Sequence, residues 1–243
     1  MDILGLIKSQ VEEAISINSK IVGLESVITH IERAEQYLNK GKDNNDDHLF
    51  TDVIYRTNHA FEGILKEAYT VLTGKDSSKK TPNEIENYFL NNNVLNQRVV
   101  ELLKNYRQEW RNTSTHDYNL FFNHGEAFLA IVSVSAFIHV LLNQVLDKVH
   151  FDNEKEKLKG TLTKVKRKLN KDYQNLSFID KVSALIQTYE DSNLQNKDGD
   201  DRISFMRFER EVISGIAAYI NSLDKSIDVV IEPLIDTGDK RLR

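Results

Sequence analysis

The amino-acid sequence predicts an all-α fold, a helical bundle with a mainly helical C-terminal extension that ends in one β-strand. Three observations predict it. The 243 residues include only two prolines and ten glycines, so turn signals are few. Apolar residues make up 40% of the chain, and they recur at helical spacing. No alternating strand pattern appears before residue 200.

The N-terminal part, residues 3–40, is predicted to form one long helix or two abutting helices. Two apolar series with a seven-residue repeat run through it, which is close to two helical turns: Ile7, Ala14, Ile21 and Ile28, and Ile17, Leu24, Ile31 and Leu38. The polar stretch GKDNNDD, residues 41–47, is predicted to interrupt the helix.

Two further helices are predicted before residue 92. In residues 50–72 the apolar side chains fall on one side at helical spacing, and Gly74 is positioned as a C-terminal cap. Thr81-Pro82-Asn83-Glu84 combines an N-cap, a proline at the first helical position and a glutamate three residues after the cap. This pattern predicts a short helix that ends near residue 91.

A helix at about 96–111 and another from about 120–123 to 150 complete the predicted bundle, so that residues 1–150 form one domain. The apolar stretch 128–142 is shorter than the roughly 20 residues that cross a bilayer. It also contains serines and His139, so a buried helix is predicted and no membrane contact.

The remainder is predicted as a basic linker, 151–175, and a C-terminal helical region, 176–243. In that region IDVVIEP, residues 227–233, is the one convincing strand pattern. A single strand needs a partner for its backbone groups. It is expected either to pair across an oligomer or to belong to a truncated α/β domain, in which case the natural chain continues beyond Arg243.

Composition limits the classes of function. Cysteine is absent, which excludes disulfides, thiolate metal sites and cysteine nucleophiles. The N-terminus lacks the features of a signal peptide, so a cytoplasmic location is expected. The net charge is −5, yet residues 154–171 hold eight basic and two acidic residues. This segment is either an RNA-backbone contact or a solvated linker, and the candidate RNA-binding residues are Lys164, Lys166, Arg167 and Lys168.

The sequence EWRNTSTHDYN, residues 109–119, lies where one amphipathic pattern stops and the next begins. Arg111, Asn112 and His116 are polar groups suited to work on a phosphodiester. The ordinary alternative is that residues 112–115 cap and connect two helices. Spacing alone does not decide between a polar turn and a site that cleaves RNA.

The surroundings of this motif resemble the HEPN family, small helical domains of prokaryotic defence and toxin–antitoxin systems. Their signature, R-N-x-x-x-H, matches Arg111-Asn112-Thr113-Ser114-Thr115-His116. The preceding helix and LTGK turn in residues 59–81 and the closing helix in 116–142 are also similar, so the resemblance covers about 45–150. It implies a metal-independent ribonuclease without cofactors, whose active site is composed by two protomers at a two-fold interface.

The chemistry of the residues agrees with that implication. RNA supplies its own nucleophile, the 2′-hydroxyl group. A histidine titrates near neutral pH and can transfer protons, and an arginine can stabilise charge on the phosphorane. One copy each of Arg111 and His116 cannot easily perform both proton transfers, whereas two copies that meet in a homodimer can.

Several neighbours have two interpretations. Asn112 either has a functional role, in which it holds the phosphate or orients His116, or forms a left-handed C-cap. Glu109 is expected to be a solvated carboxylate rather than a partner of Arg111. Trp110 is expected in the core or the dimer interface, and Tyr118 is the better candidate for base stacking. The other histidines, His59, His124 and His139, have no role that the sequence demands.

The C-terminal residues 210–243 resemble the opening of a restriction-endonuclease-like domain, in which Glu211 and Glu232 would be acidic candidates. The alternative is an appendage used for dimerisation. We therefore expect an endoribonuclease homodimer that acts on RNA, with an antitoxin or another defence protein as a further partner. The alternatives are a non-catalytic HEPN dimerisation or sensing module, and a regulatory domain of a larger nuclease.

Overall fold

A computed structural model of the chain confirms the all-α class. The structure describes residues 2–21, 23–95, 97–112, 121–160, 169, 172–193, 205–227 and 229, without the side chains of 192–193 and 205–209. Within these ranges it contains eight α-helices and no strand. The chain divides into two compact units, Met1–Leu146 and Asp147–Arg243, and each is described separately.

Helices α1 (Ile3–Ile17) and α2 (Gly23–Asn44) show that the N-terminal seam forms two helices. Helix α1 begins where the Asp2 carboxylate accepts a hydrogen bond of 2.8 Å from the Gly5 amide. It ends at Asn18, whose backbone is extended and whose amide donates to Ala14. The seven-residue apolar repeat therefore persists across a short break between the helices, because both helices face the same core.

Helix α3 (Asp47–Thr73) packs antiparallel against α2. The predicted break within residues 41–47 is present but shorter than expected, since α2 continues to Asn44 and the turn is confined to Asn45 and Asp46. Gly41 lies inside α2 at a close approach between the helices, where a Cβ atom would lie 2.6 Å from the Phe50 ring. Here the glycine permits helix packing instead of ending the helix.

The capping predictions for α3 and α4 (Pro82–Asn91) are confirmed. Gly74 ends α3 in the left-handed conformation with φ 67°, which glycine adopts without steric cost. The Thr81 hydroxyl accepts a hydrogen bond from the Glu84 amide, and the Glu84 carboxylate accepts one from the Thr81 amide at 2.9 Å. These signals are local in the sequence, so they could be predicted without the fold.

Helices α5 (Gln97–Tyr106) and α6 (His124–Lys159) complete the first unit. Asn123 and Glu126 start α6 with reciprocal hydrogen bonds of 2.8 and 3.0 Å. Among the described helices, α6 is the one long and apolar enough to cross a membrane, but 56% of its apolar window is buried inside the fold. One such helix is weak evidence for a membrane span.

The second unit contains the end of α6, a 3-10 turn (Tyr173–Asn175), α7 (Phe178–Asn193) and α8 (Phe205–Leu223). Helix α6 continues through the first part of the predicted basic linker to Lys159. Arg210 of α8 binds Asp147 of α6 with an Nε–Oδ1 distance of 2.8 Å. The predicted strand, 227–233, lies largely outside the described residues.

Candidate functional site

The first two motif residues, Arg111 and Asn112, end a π-helical turn, Arg107–Asn112, that lies directly after α5. The sequence predicted a regular helix through residue 111. π-helical turns are rare and occur frequently at functional sites. Because each turn holds an extra residue, the side chains of this segment point in directions that a continued α-helix would not give them.

Tyr106, the last residue of α5, anchors the start of this segment in the core. Its hydroxyl lies 3.0 Å from Thr57 Oγ1 and 3.1 Å from Asn58 Oδ1, both on α3. Its ring packs against Phe61 with centroids 4.9 Å apart. Burial raises the pKa of Tyr106, so this hydroxyl remains protonated and acts in packing rather than as a base.

Arg107 ties the segment to α4. Its Nε lies 3.0 Å from both carboxylate oxygens of Glu86, and its Nη2 donates to Asn83 at 3.0 Å. The Glu86 side chain is completely buried. Burial raises the pKa of Glu86, and the Arg107 guanidinium opposes that shift. A buried carboxylate is tolerated here because the charged Arg107, whose Nε–H is shared between both carboxylate oxygens, compensates for its lost hydration.

Arg111 ties the other end of the segment to α3. Its Nε donates to Glu62 Oε1 at 2.7 Å, and its Nη1 donates to Asn112 Oδ1 at 3.1 Å. The side chains of Arg111 and Glu62 are each 30% exposed. The guanidinium is therefore held in one orientation while part of it remains at the surface, where a phosphate oxygen can reach it.

Asn112 is the last residue of the π-helical turn and does not form the left-handed C-cap that was one of its two interpretations. In the described part of the chain, the residues other than glycine with positive φ are Asn45 and Asn93. The Asn112 amide oxygen instead accepts the hydrogen bond from Arg111. Its observed contact is thus with the candidate catalytic arginine.

Trp110 is half-buried rather than part of the core, and Glu109 is exposed as expected of a solvated carboxylate. The Trp110 ring stacks on Phe122 with centroids 6.0 Å apart and planes at 29°, and Phe122 is buried. Packing of Trp110 on Phe122 brings the end of the π-helical turn next to the residues that precede α6.

Three other histidines make contacts within the first unit that account for their positions. His139 Nδ1 lies 2.9 Å from Gln10 Oε1, as expected of a satisfied histidine in the bundle. His124 meets the Phe50 ring edge-on at 5.6 Å. His59 stacks on His30 with centroids 5.1 Å apart, a pairing across α2 and α3 that the sequence did not suggest.

The remaining candidates fall outside the described residues. His116 and Tyr118 lie in 113–120, and Lys164, Lys166, Arg167 and Lys168 lie in 161–168. Glu232 belongs to 230–243, and Glu211 is an exposed residue of α8. The structure thus bears directly on Arg111 and Asn112 of the predicted catalytic set.

Sequence reasoning missed Glu62 and Glu86, the two carboxylates that orient the arginines. Glu62 is separated from Arg111 by 49 positions, and Glu86 from Arg107 by 21. The only signal for Glu62 was its position on a polar face of the helix that precedes the motif. Among the described residues, no group of three or more His, Asp or Glu side chains is arranged to hold a metal ion.

The arrangement can bind an anion and stabilise its charge through Arg111, with Glu62 and Asn112 as orienting groups. Comparison of the chain with models of protein families, with curated proteins and with solved structures gave no match.

Proposed function

We propose that this protein is an endoribonuclease of a prokaryotic defence or toxin system that works without a metal ion. In this mechanism the RNA 2′-hydroxyl attacks the adjacent phosphate, His116 transfers protons, and Arg111 stabilises the phosphorane. The products carry a 2′,3′-cyclic phosphate and a 5′-hydroxyl. The observation that carries the proposal is that Glu62 and Asn112 hold the partly exposed Arg111 guanidinium within a π-helical turn.

A homodimer is part of the proposal, because two histidines are needed for the two proton transfers. Helix α6 offers a surface for a second copy. Phe128, Leu129 and Val132 are 54%, 52% and 41% exposed and lie within one turn of the helix. An exposed cluster of large apolar side chains favours protein–protein contact, and a two-fold dimer would bury the same cluster of both copies.

The expected cellular setting is the cytoplasm, with RNA as substrate and an antitoxin or another defence protein as a regulator. That setting rests on the resemblance of residues 111–116 and their flanks to HEPN proteins.

The second candidate is a non-catalytic dimerisation or sensing module. The observation that favours it is the same ion pair, because the Glu62 carboxylate neutralises Arg111 and competes with a phosphate for it. The two candidates differ in whether RNA is cleaved when both motif residues are present.

The decisive experiment incubates 5′-labelled single-stranded RNA with the purified chain in excess chelator. We expect cleavage with a 2′,3′-cyclic phosphate end, and its loss in His116→Ala and Arg111→Ala. The matched control is His124→Ala, which removes an exposed histidine at the start of α6 and should retain activity. Equal RNA decay with the wild type and His116→Ala, with fold and dimer intact, would overturn the enzymatic proposal.

A further inference from the structure

A polar groove lies on the first unit between α2 and α3, apart from the motif segment. Its volume is about 260 Å³, and its walls are the side chains of Tyr37, Asp52, Tyr55, Arg56 and His59. Tyr55 is 46% exposed, and His59 is also exposed. The groove therefore presents aromatic faces and a guanidinium to the same opening.

Cationic and titratable groups gather at this groove. Arg56 Nη1 lies 3.5 Å from His30 Nδ1, and His30 stacks on His59 with ring planes at 17°. An arginine can only donate, so a hydrogen bond in this contact would require His30 Nδ1 as the acceptor. Burial lowers the pKa of His30, and His59 and Arg56 lower it further. The Arg56 guanidinium thus supplies a positive charge to which a bound anion would be attracted.

The ring of Tyr37 fixes the position of Arg56, whose Cζ lies 5.9 Å from the ring centroid. Asp52 is exposed at the same opening. It can accept hydrogen bonds from sugar hydroxyls or from an exocyclic amino group. The groove thus combines donors for a phosphate, a ring for a base and an acceptor for a sugar or base edge.

The groove and the partner of the candidate catalytic arginine lie on the same face of α3. Tyr55, His59 and Glu62 occupy positions i, i+4 and i+7 of α3 and share one face of the helix. Glu62 binds Arg111 at 2.7 Å. With about 1.5 Å of rise per residue, Arg56 lies roughly 9 Å along the helix axis from Glu62. A short stretch of single-stranded RNA can span that distance.

We propose that this groove is a nucleotide subsite, in which Arg56 and His59 bind a phosphate and Tyr55 stacks on a base of RNA that runs along α3 to Arg111. That the bound strand is RNA rests on the proposed function. Stacking on an exposed ring together with cationic contacts to phosphates is the usual recognition mode for single-stranded nucleic acid. The small volume suits one nucleotide rather than a larger ligand.

The test measures binding of a fluorescent 2′-O-methyl oligonucleotide, which lacks the nucleophilic hydroxyl and cannot be cleaved. Arg56→Gln should raise Kd roughly tenfold. It should also reduce the slope of log Kd against log salt concentration by about one. Tyr55→Leu should raise Kd about fivefold or more. Arg56→Lys, which keeps the charge, should recover part of the affinity. The matched control, Arg33→Gln on the exposed surface of α2, should bind as the wild type does.

The same variants are titrated with free AMP and UMP to separate the two sources of a nucleotide. If Arg56→Gln changes neither oligonucleotide nor mononucleotide binding, the subsite is overturned. If Arg56→Gln abolishes binding of AMP and UMP but leaves oligonucleotide binding unchanged, the RNA path along α3 is overturned. Cleavage of unmodified RNA is measured separately, so oligonucleotide binding through Arg56 without cleavage would support the subsite while contradicting the proposed ribonuclease.

Discussion

Glu62 Oε1 lies 2.7 Å from Arg111 Nε although 49 residues separate them in the chain. This contact connects the middle of α3 to the end of the π-helical turn. Since both side chains are partly exposed, the pair contributes at most about 1 kcal/mol to stability. Its main physical effect is on orientation, because the hydrogen bonds at Nε and Nη1 together restrict rotation of the guanidinium.

Glu62→Ala should lower kcat for RNA cleavage by roughly 10- to 100-fold, since Arg111 loses the group that fixes its geometry. Glu62→Gln keeps an oxygen that can accept from Nε and should recover much of the rate. Thermal unfolding should change little in both variants. Glu62 would be a competitor of the phosphate, not a positioning residue, if Glu62→Ala cleaved RNA faster than the wild type.

Arg107→Gln should lower the free energy of unfolding by about 3–5 kcal/mol at pH 7, because it leaves the buried Glu86 carboxylate unpaired. The loss should shrink at acidic pH. Burial raises the pKa of Glu86, and Arg107 is the group that opposes the rise. A raised carboxyl pKa stabilises the fold at low pH, and this contribution is lost as pH rises through the folded pKa.

Urea unfolding at pH 5 and pH 7 measures this effect. The double variant Arg107→Gln with Glu86→Gln serves as its control, because it removes the charge that the single variant leaves buried. We expect the double variant to be more stable than Arg107→Gln at pH 7. Equal stability of the wild type and Arg107→Gln would mean that the ion pair does not hold the π-helical turn to α4.

The start of α4 and the end of α3 could be predicted because their signals are local. The N-cap of α4 depends only on Thr81 and Glu84, and the C-cap of α3 depends only on Gly74. Neither cap requires a contact with a distant part of the chain. The end of α2 could not be predicted in this way. Gly41 is a helix-ending signal in isolation, yet it lies inside α2, where a larger side chain would meet the Phe50 ring.

The motif residues Arg111 and Asn112 could be identified from their pattern, but their geometry could not. The π-helical turn is held by Glu86 and Glu62, which come from two different helices. The groove was missed for the same reason, since His30 and His59 meet only when α2 and α3 pack antiparallel. Contacts between residues of two packed helices leave no local signal in the sequence of either helix.

His30→Gln should reduce the loss of stability on acidification. Burial, His59 and Arg56 lower the pKa of His30 below its usual 6.5. Below about pH 6.5, His30 takes up a proton in the unfolded chain, whereas the folded state resists this protonation. The fold therefore loses stability as the pH falls, until the pH reaches the pKa of His30 in the folded protein. The melting temperature of the wild type should therefore fall more between pH 7 and pH 5 than that of His30→Gln.

The control for this comparison is His48→Gln, which removes an exposed histidine of α3 and should melt as the wild type does at each pH. If the melting temperatures of the wild type and His30→Gln fell equally between pH 7 and pH 5, protonation of His30 would not be opposed in the folded protein.

Leu129→Glu should convert the proposed homodimer to a monomer, because it places a charge within the exposed apolar cluster of Phe128, Leu129 and Val132. Light scattering after gel filtration measures the mass, and RNA cleavage should fall with the dimer since the site needs two protomers. Leu6→Glu, at a 40% exposed position of α1, is the matched control and should leave mass and activity unchanged. A Leu129→Glu protein that stays dimeric would exclude this face of α6 as the interface.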